Sequence, residues 1–170
     1  MPLRSAEQIT LRETVRSEDR GEVRRMVAAT DFFRLDEIDV AVELVDTRLE
    51  KGVSSGYEFI FAEQQNHLIA YACYGPIACS VGSFDLYWIV VDPACQGRGL
   101  GRRLLQEVEQ RICQTGGRHI YIETSGQPKY EPTRGFYERC GYEIAAVLTD
   151  FYDNGDDKLI WCKKCVPIGE

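Results

Sequence analysis

A glycine-rich turn between an apolar run and a leucine-rich stripe is the most informative stretch of this 170-residue chain. The residues of 84–91 are aliphatic or aromatic apart from Asp85, and they predict a largely buried strand. Pro93 has no amide hydrogen to donate, so the strand should end before it. From Leu100 onward the apolar residues recur at helical spacing, so a helix should begin there.

The turn itself contains three alternating glycines, Gly97, Gly99 and Gly101. Because glycine has no Cβ, a ligand can approach the backbone N–H groups of such a turn closely. A helix that begins just after a strand also presents free N–H donors and the positive end of its dipole, which together bind phosphate. The sequence therefore predicts a phosphate site in this turn.

The spacing of the glycines distinguishes between kinds of phosphate-binding loop. A P-loop needs lysine followed by serine or threonine, and neither follows Gly101. The dinucleotide fingerprint needs G-x-G-x-x-G, whereas this turn reads G-x-G-x-G. The residues of 96–101 instead fit Q-x-x-G-x-G after Val91-x-Pro93, which resembles the acetyl-CoA loop of the GNAT superfamily of N-acetyltransferases. An ordinary glycine-rich turn is the alternative interpretation.

The resemblance implies that acetyl-CoA is the cosubstrate and indicates which residues should hold it. The end of the strand, at Ile89, Val90 and Val91, should pair through its backbone with the pantetheine arm. The pyrophosphate should lie on the loop residues, which are Gln96, Gly97, Arg98, Gly99, Leu100, Gly101, Arg102 and Arg103. Arg98 and Arg103 could reach phosphate oxygens, although each arginine could equally be a solvated charge at the start of the helix.

Composition excludes several other classes of protein. The length fits a single domain over residues 1–170, and 44% hydrophobic with 28% charged residues is typical of a soluble globular protein. A net charge of −7 disfavours a nucleic-acid partner and favours a neutral or cationic substrate. Residues 1–7 lack a signal-peptide core, and no apolar run approaches the ~20 residues of a membrane span, so no membrane partner is expected.

The cysteines indicate the compartment. There are seven of them at irregular spacing, which favours reduced thiols and a cytoplasmic location. Cys162 and Cys165 form a single C-x-x-C without a second pair or a nearby histidine, so no metal site is predicted there.

The rest of the chain alternates between strand and helix patterns. Strands are predicted at 9–13, 58–63, 68–74, 84–91, 120–124, 142–152 and 159–165, and helices after Ser17, over 40–49, from Leu100 and over 133–139. A polar connection is predicted over 31–39. The order βααβββαβαββ matches the GNAT fold, which is an α/β (α+β) fold with a central mixed, mostly antiparallel twisted sheet of about seven strands flanked by helices. The segment Phe136–Tyr142 also resembles the F/L-Y-x-x-x-G-F/Y segment of that family.

Acetyl transfer to an amine sets the chemistry that the site must supply. The attacking amine must be neutral, and deprotonating a lysine-type amine at pH 7 costs roughly 4.6 kcal/mol, against roughly 1.4 kcal/mol for an α-amine. A base is therefore needed most for the first kind of acceptor, and the departing thiolate needs an acid.

Three residues are candidates for these proton transfers. Tyr137 matches the tyrosine that lies near the coenzyme sulfur in many family members, so it is the candidate acid, with a packing role as the alternative. Glu123 resembles the base of ribosomal-protein alanine acetyltransferases, although the asparagine that follows in them is missing and the loop is longer here. Asp85 falls where many relatives carry a glutamate that activates a water. Each carboxylate could instead be structural or solvated.

The acceptor is the least specific prediction. A small primary amine or amino-acid-like acceptor, attacking directly in a ternary complex, is favoured because 32–39 and 125–131 mix acidic and aromatic residues, which attract cations. A protein N-terminal or lysine acetyltransferase and a non-catalytic acyl-CoA-binding regulatory domain are the alternatives. A homodimer is also compatible with the sequence.

Overall fold

A computed structural model of the chain describes residues 8–166. Within them seven strands and four α-helices follow the predicted order βααβββαβαββ. The strands are β1 Thr10–Arg12, β2 Glu58–Gln64, β3 His67–Pro76, β4 Ser83–Val91, β5 His119–Ser125, β6 Glu143–Asp153 and β7 Asp156–Lys164. The helices are α1 Asp19–Ala29, α2 Leu35–Lys51, α3 Leu100–Gln114 and α4 Glu131–Arg139. The predicted fold class is confirmed.

The strands form one hydrogen-bonded sheet in the order β1-β2-β3-β4-β5-β7-β6. The pairs β1–β2, β2–β3, β5–β7 and β6–β7 are antiparallel. The pair β4–β5 is parallel, with Ser83–Asp85 opposite His119–Tyr121. The sheet is thus mixed and mostly antiparallel, as the sequence predicts.

The chain divides into two compact units, and β4 and α3 each contribute to both. The first unit comprises the chain up to Gly75 together with Trp88–Val108. The second unit comprises Pro76–Tyr87 and the chain from Glu109 onward. A single domain over residues 1–170 remains a prediction.

The core of the first unit is built from α1, α2 and the strands β2 and β3. Each helix contributes one apolar stripe at helical spacing, and β2 contributes aromatic rings, with Phe59 stacked on Phe61 at 5.5 Å between ring centroids. In the second unit, Trp161 of β7 is buried and donates its indole N–H to the Thr124 hydroxyl at 2.8 Å. That bond satisfies the polar end of the largest buried side chain there.

Three predictions of local structure are wrong in detail. Helix α2 begins at Leu35, within the predicted polar connection, because the Glu37 carboxylate accepts the Arg34 backbone N–H at 2.8 Å and caps its first turn. Helix α4 begins at Glu131, since Pro132 fits the first turn of a helix. Strand β4 is not largely buried, because only Leu86 and Val90 are buried in it.

The N-terminal stretch 1–7, for which the sequence predicts no signal-peptide core, lies outside the described residues. Within 8–166, no helix is both long enough and apolar enough to cross a membrane.

Arg12 joins three elements at the start of the first unit. Its guanidinium pairs with Asp19 of α1 at 2.8 Å and with Glu63 of β2 at 2.7 Å, and all three side chains are largely shielded from water. The same guanidinium lies 4.4 Å from the centre of the Phe61 ring. A charged group this shielded needs such partners, since it has lost most of its hydration.

Candidate functional site

Asp92 determines the direction in which the chain leaves β4. Its backbone N–H donates to the Ile69 carbonyl on β3 at 2.8 Å, and its carboxylate accepts the Ala94 N–H at 3.0 Å. The carboxylate also pairs with Arg25 of α1 at 2.9 Å. The hydrogen bond from Arg25 lowers the pKa of Asp92, so its charge is retained at neutral pH. The start of the loop is therefore fixed by α1 and β3 of the same unit.

The glycine turn that follows has an open, left-handed backbone. Gly97 and Gly99 have φ angles of +76° and +75°, a conformation that other residues rarely adopt. A Cβ built on either glycine would meet no other atom within 4 Å, so the space beside the backbone is free. An open backbone of this kind has room for a phosphate group.

Helix α3 begins at Leu100, as the sequence predicts. Its first helical hydrogen bond runs from the Arg103 N–H to the Gly99 carbonyl at 3.0 Å. The amides of the first turn before Arg103 therefore have no acceptor within the helix. The turn also carries exposed cationic side chains, which are Arg98, Arg102 and Arg103. Free amides, the positive end of the helix dipole and these cations together suit a phosphate or pyrophosphate.

The end of β4 places its predicted pantetheine-binding residues on alternate faces. Val90 is buried in the core of the first unit, whereas Ile89 and Val91 are only partly buried. The side-chain amide of Gln96 donates to the Val91 carbonyl at 3.2 Å. The Gln96 side chain thus turns back onto the end of β4.

The two predicted catalytic carboxylates lie on neighbouring strands of the second unit. Asp85 of β4 pairs in register with Tyr121 of β5, and Glu123 follows two residues later, so both carboxylates lie on one face of the sheet. Partial burial and the Glu123 charge raise the pKa of Asp85. The structure therefore brings together two of the three residues that the sequence proposes for proton transfer.

Lys158 of β7 completes this cluster, although the sequence does not single it out. Its ammonium lies 2.7 Å from a Glu123 carboxylate oxygen and 3.8 Å from the centre of the Phe151 ring. The alternating pattern after the Asn154–Gly155 turn predicts a strand, but it does not predict which carboxylate the lysine meets. That contact follows from the register, which sets Lys158 opposite Ser125 on β5.

Tyr137, the candidate acid, is buried on α4. Its ring packs edge-on against Phe136 and Tyr142, with centroid distances of 5.3 and 5.8 Å. Burial raises the pKa of Tyr137 well above its usual range, so its phenol stays protonated. The side chain thus both fills space and retains a proton to donate.

The acidic side chains proposed to attract a cationic acceptor are already paired. Asp36 and Glu37 both pair with Arg34, and Asp39 pairs with Arg24. These ion pairs remove most of the negative charge on which that part of the acceptor prediction depends.

The two cysteines of the C-x-x-C form no disulfide. Cys162 and Cys165 are both free thiols. In the described part of the chain, no group of three or more metal-ligating side chains lies close enough to hold an ion.

Comparison with known proteins establishes the family. The family model described as an acetyltransferase (GNAT) domain matches residues 55–144, a little over half of the chain. A crystal structure from Desulfovibrio desulfuricans, of a protein assigned to the GNAT acetyltransferases, is 48% identical, with a TM-score of 0.92. The match covers 94% of this chain and 100% of that chain. The chain belongs to the GNAT family and is an acyltransferase, which confirms the resemblance read from the motifs.

Two further solved structures share the fold at lower identity. An aminoglycoside 6'-N-acetyltransferase complexed with coenzyme A is 19% identical, covers 95% of this chain and 99% of that chain, and has a TM-score of 0.73. The ribosomal-protein-S18-alanine N-acetyltransferase from Escherichia coli is 20% identical, covers 96% and 97%, and has a TM-score of 0.71. No curated protein sequence matches this chain significantly.

Proposed function

We propose that this acyltransferase moves the acetyl group of acetyl-CoA directly to a primary amine, without a covalent enzyme intermediate. The open glycine turn before α3 carries this proposal, because it fits a pyrophosphate in a chain of the GNAT family. The aminoglycoside enzyme that shares the fold holds coenzyme A, which supports the choice of cosubstrate. A cytoplasmic location stays a prediction.

The cosubstrate is proposed to bind through backbone groups of the first unit. The loop from Gln96 to Arg103 would hold the pyrophosphate, and the backbone of Ile89 to Val91 would pair with pantetheine. Backbone amides bind a phosphate without the reorganisation that long side chains need, so the left-handed glycines matter more than the neighbouring arginines.

Replacing Gly99 with alanine tests the loop. A Cβ would enter the free space beside the backbone, so Gly99→Ala should weaken acetyl-CoA binding by about tenfold or more, equivalent to about 1.4 kcal/mol. Calorimetric titration of the folded variant measures this Kd.

Gly56→Ala is the matched control for the alanine in the loop. Gly56 has the same φ of +75°, equally free space around a Cβ, and a position in the same unit outside the loop. Both variants should lose roughly 1–2 kcal/mol of stability from the left-handed alanine, but only Gly99→Ala should lose affinity. Equal affinities for acetyl-CoA in the two variants would remove the loop as the binding site.

The proton transfers are proposed for the second unit. One carboxylate of the Asp85–Glu123 pair accepts the amine proton through water, with Glu123 favoured by the resemblance. Tyr137 donates its proton to the departing thiolate, for which its protonated state at neutral pH is required. The nitrogen–carbon bond forms as the carbon–sulfur bond breaks.

Tyr137→Phe tests the acid while retaining the packed ring. General acid catalysis contributes ~100- to 10,000-fold, so kcat should fall within that range while the Kd for acetyl-CoA stays unchanged. Tyr142→Phe is the control, since Tyr142 is equally buried and packs against Tyr137. A Tyr137→Phe enzyme with the kcat of the Tyr142→Phe enzyme, when chemistry limits the rate, would contradict the acid role.

A small-molecule or amino-acid-like amine is the proposed acceptor. The Asp85–Glu123–Lys158 cluster carries a net charge of −1 on a partly open sheet face, which favours a compact cation. Protein acetylation remains the alternative, because the ribosomal-protein enzyme shares the fold equally well.

An amine panel separates these acceptors. Coenzyme A release should be fastest with amino acids, polyamines or aminoglycosides and slow with peptides presenting an α-amine or a lysine. Turnover of peptides alone would establish the alternative, and turnover restricted to anionic or hydroxyl acceptors would contradict amine transfer.

A homodimer through β6 is the proposed assembly. All eleven residues of β6 are exposed, and its outer edge has no partner strand in the described chain. Its large exposed apolar residues are Ile144, Val147, Leu148, Phe151 and Tyr152. Edge strands of monomers are usually short or guarded by lysine or proline, and β6 is long and contains neither. Contiguous exposed apolar patches larger than roughly a few hundred Å² are uncommon on monomers and mark interaction sites.

A second copy fits this edge because the sequence is self-complementary. An antiparallel pair centred on Val147 sets Val147 opposite Val147 of the second copy and Ala146 opposite Leu148, and places no acidic residue opposite another. Cross-strand apolar pairs of this kind stabilise a sheet, whereas like charges directly opposite destabilise it.

Val147→Lys tests the dimer by placing like charges opposite one another at its centre. Light scattering after size-exclusion chromatography should give a dimer mass for the wild type and a monomer mass for this variant. Val53→Lys, at an exposed valine outside β6, should remain dimeric. A monomeric wild type at every concentration tested would refute this assembly.

A further inference from the structure

One lysine connects the carboxylates on the open face of the second unit's sheet. The Lys158 ammonium lies 2.7 Å from Glu123, and the ring of Phe151 covers it at 3.8 Å. The lysine side chain is only 12% exposed, whereas the Glu123 side chain is 49% exposed. The ammonium has therefore lost most of its hydration, and the carboxylate and the aromatic ring replace it.

The two partners of this ion pair differ in exposure, and the difference limits what the pair contributes to stability. A pair with one half-exposed partner contributes little to folding, typically about 0–1 kcal/mol. A largely shielded lysine that pairs with one side of a half-exposed carboxylate nevertheless fixes the orientation of the carboxylate and leaves its other side accessible. That arrangement suits a carboxylate that must meet a substrate or a water.

Several titratable groups lie near Glu123 and Lys158 on this face of the sheet. Asp85 faces Glu123 from β4, Tyr121 lies beside it on β5, and Cys162 lies opposite Tyr121 on β7. Burial and Glu123 raise the pKa of Asp85, and the Lys158 charge opposes them by lowering it. Lys158 is thus the cation that balances two carboxylates on this face.

We propose that Lys158 is a positioning residue of the active site, which holds Glu123 in one orientation and keeps the neighbouring Asp85 ionised, so that the two carboxylates can accept the proton of the amine. This role rests on the proposed acetyl transfer. In that reaction the amine nitrogen bonds to the acetyl carbon and the carbon–sulfur bond breaks. The surplus amine proton passes to the carboxylate pair, and the thiolate takes the Tyr137 proton.

Lys158→Met tests the role through the pH dependence of kcat/KM. Without the ammonium, Asp85 should bind a proton at higher pH, so the acid limb of the profile should move to higher pH. At pH 7, kcat should fall by about tenfold, while KM for acetyl-CoA stays unchanged. Lys158→Arg should restore the acid limb, because arginine keeps the charge and can pair with Glu123.

Lys163→Met is the matched control. Lys163 lies on the same strand but on the opposite face, and it pairs with Glu109 at 2.9 Å. Its loss should change stability without moving the acid limb. If Lys158→Met and Lys163→Met have the same pH profile, Lys158 is structural and the proposal is overturned.

A second measurement does not need turnover. The carboxyl ¹³C resonance of Asp85, assigned with Asp85→Asn, should titrate at higher pH in Lys158→Met than in wild type. If Lys158→Met fails to fold, Lys158→Gln replaces it in both experiments.

The pH profile and the ¹³C titration allow the proposed acetyl transfer and the proposed role of Lys158 to be tested separately. A wild type that acetylates no amine would refute the proposed function, and the ¹³C titration would still decide whether Lys158 controls the carboxylate pair. An unchanged titration overturns the inference. A shifted titration with an unmoved acid limb also overturns it, since the pair would then not be the group that accepts the proton.

Discussion

The position of the glycine-rich loop after β4 depends on the hydrogen bonds and the ion pair that Asp92 forms. Its backbone N–H bonds to β3, its carboxylate caps the turn that follows, and Arg25 secures the same carboxylate from α1. Each bond is ordinary in strength, but together they fix where β4 stops and in which direction the chain continues. Because the start of the loop is fixed in this way, the left-handed turns at Gly97 and Gly99 follow at a defined position.

Much of the fold could be predicted because its signals are local. The helix from Leu100 follows from apolar spacing. The strands predicted at 58–63 and 68–74 leave only a short polar connection between them, and in the structure Gln65 and Asn66 form that turn with positive φ angles. The start of α2 could not be predicted, because it depends on one side-chain bond between Glu37 and the Arg34 backbone that composition does not reveal.

In the candidate site, too, local features could be predicted from the sequence and contacts between distant residues could not. The glycines of the loop are visible in the sequence because their positions alone define the motif. The partners of Asp92 and of Glu123 are not visible, because Arg25 and Lys158 lie far from them along the chain and meet them only through sheet register and helix packing. The identity of the acceptor amine is even harder to predict. Relatives that act on an aminoglycoside and on a ribosomal protein share this fold at about the same similarity, so the backbone alone does not specify the amine.

The short first strand has a consequence for how the chain folds. Strand β1 has three residues, and its partner β2 begins more than forty residues later, so closing that loop costs entropy before any contact repays it. Arg12 can complete its ion pairs only when both α1 and the β2–β3 hairpin are in place. The contacts that hold β1 therefore depend on α1 and β2, which follow it in the chain.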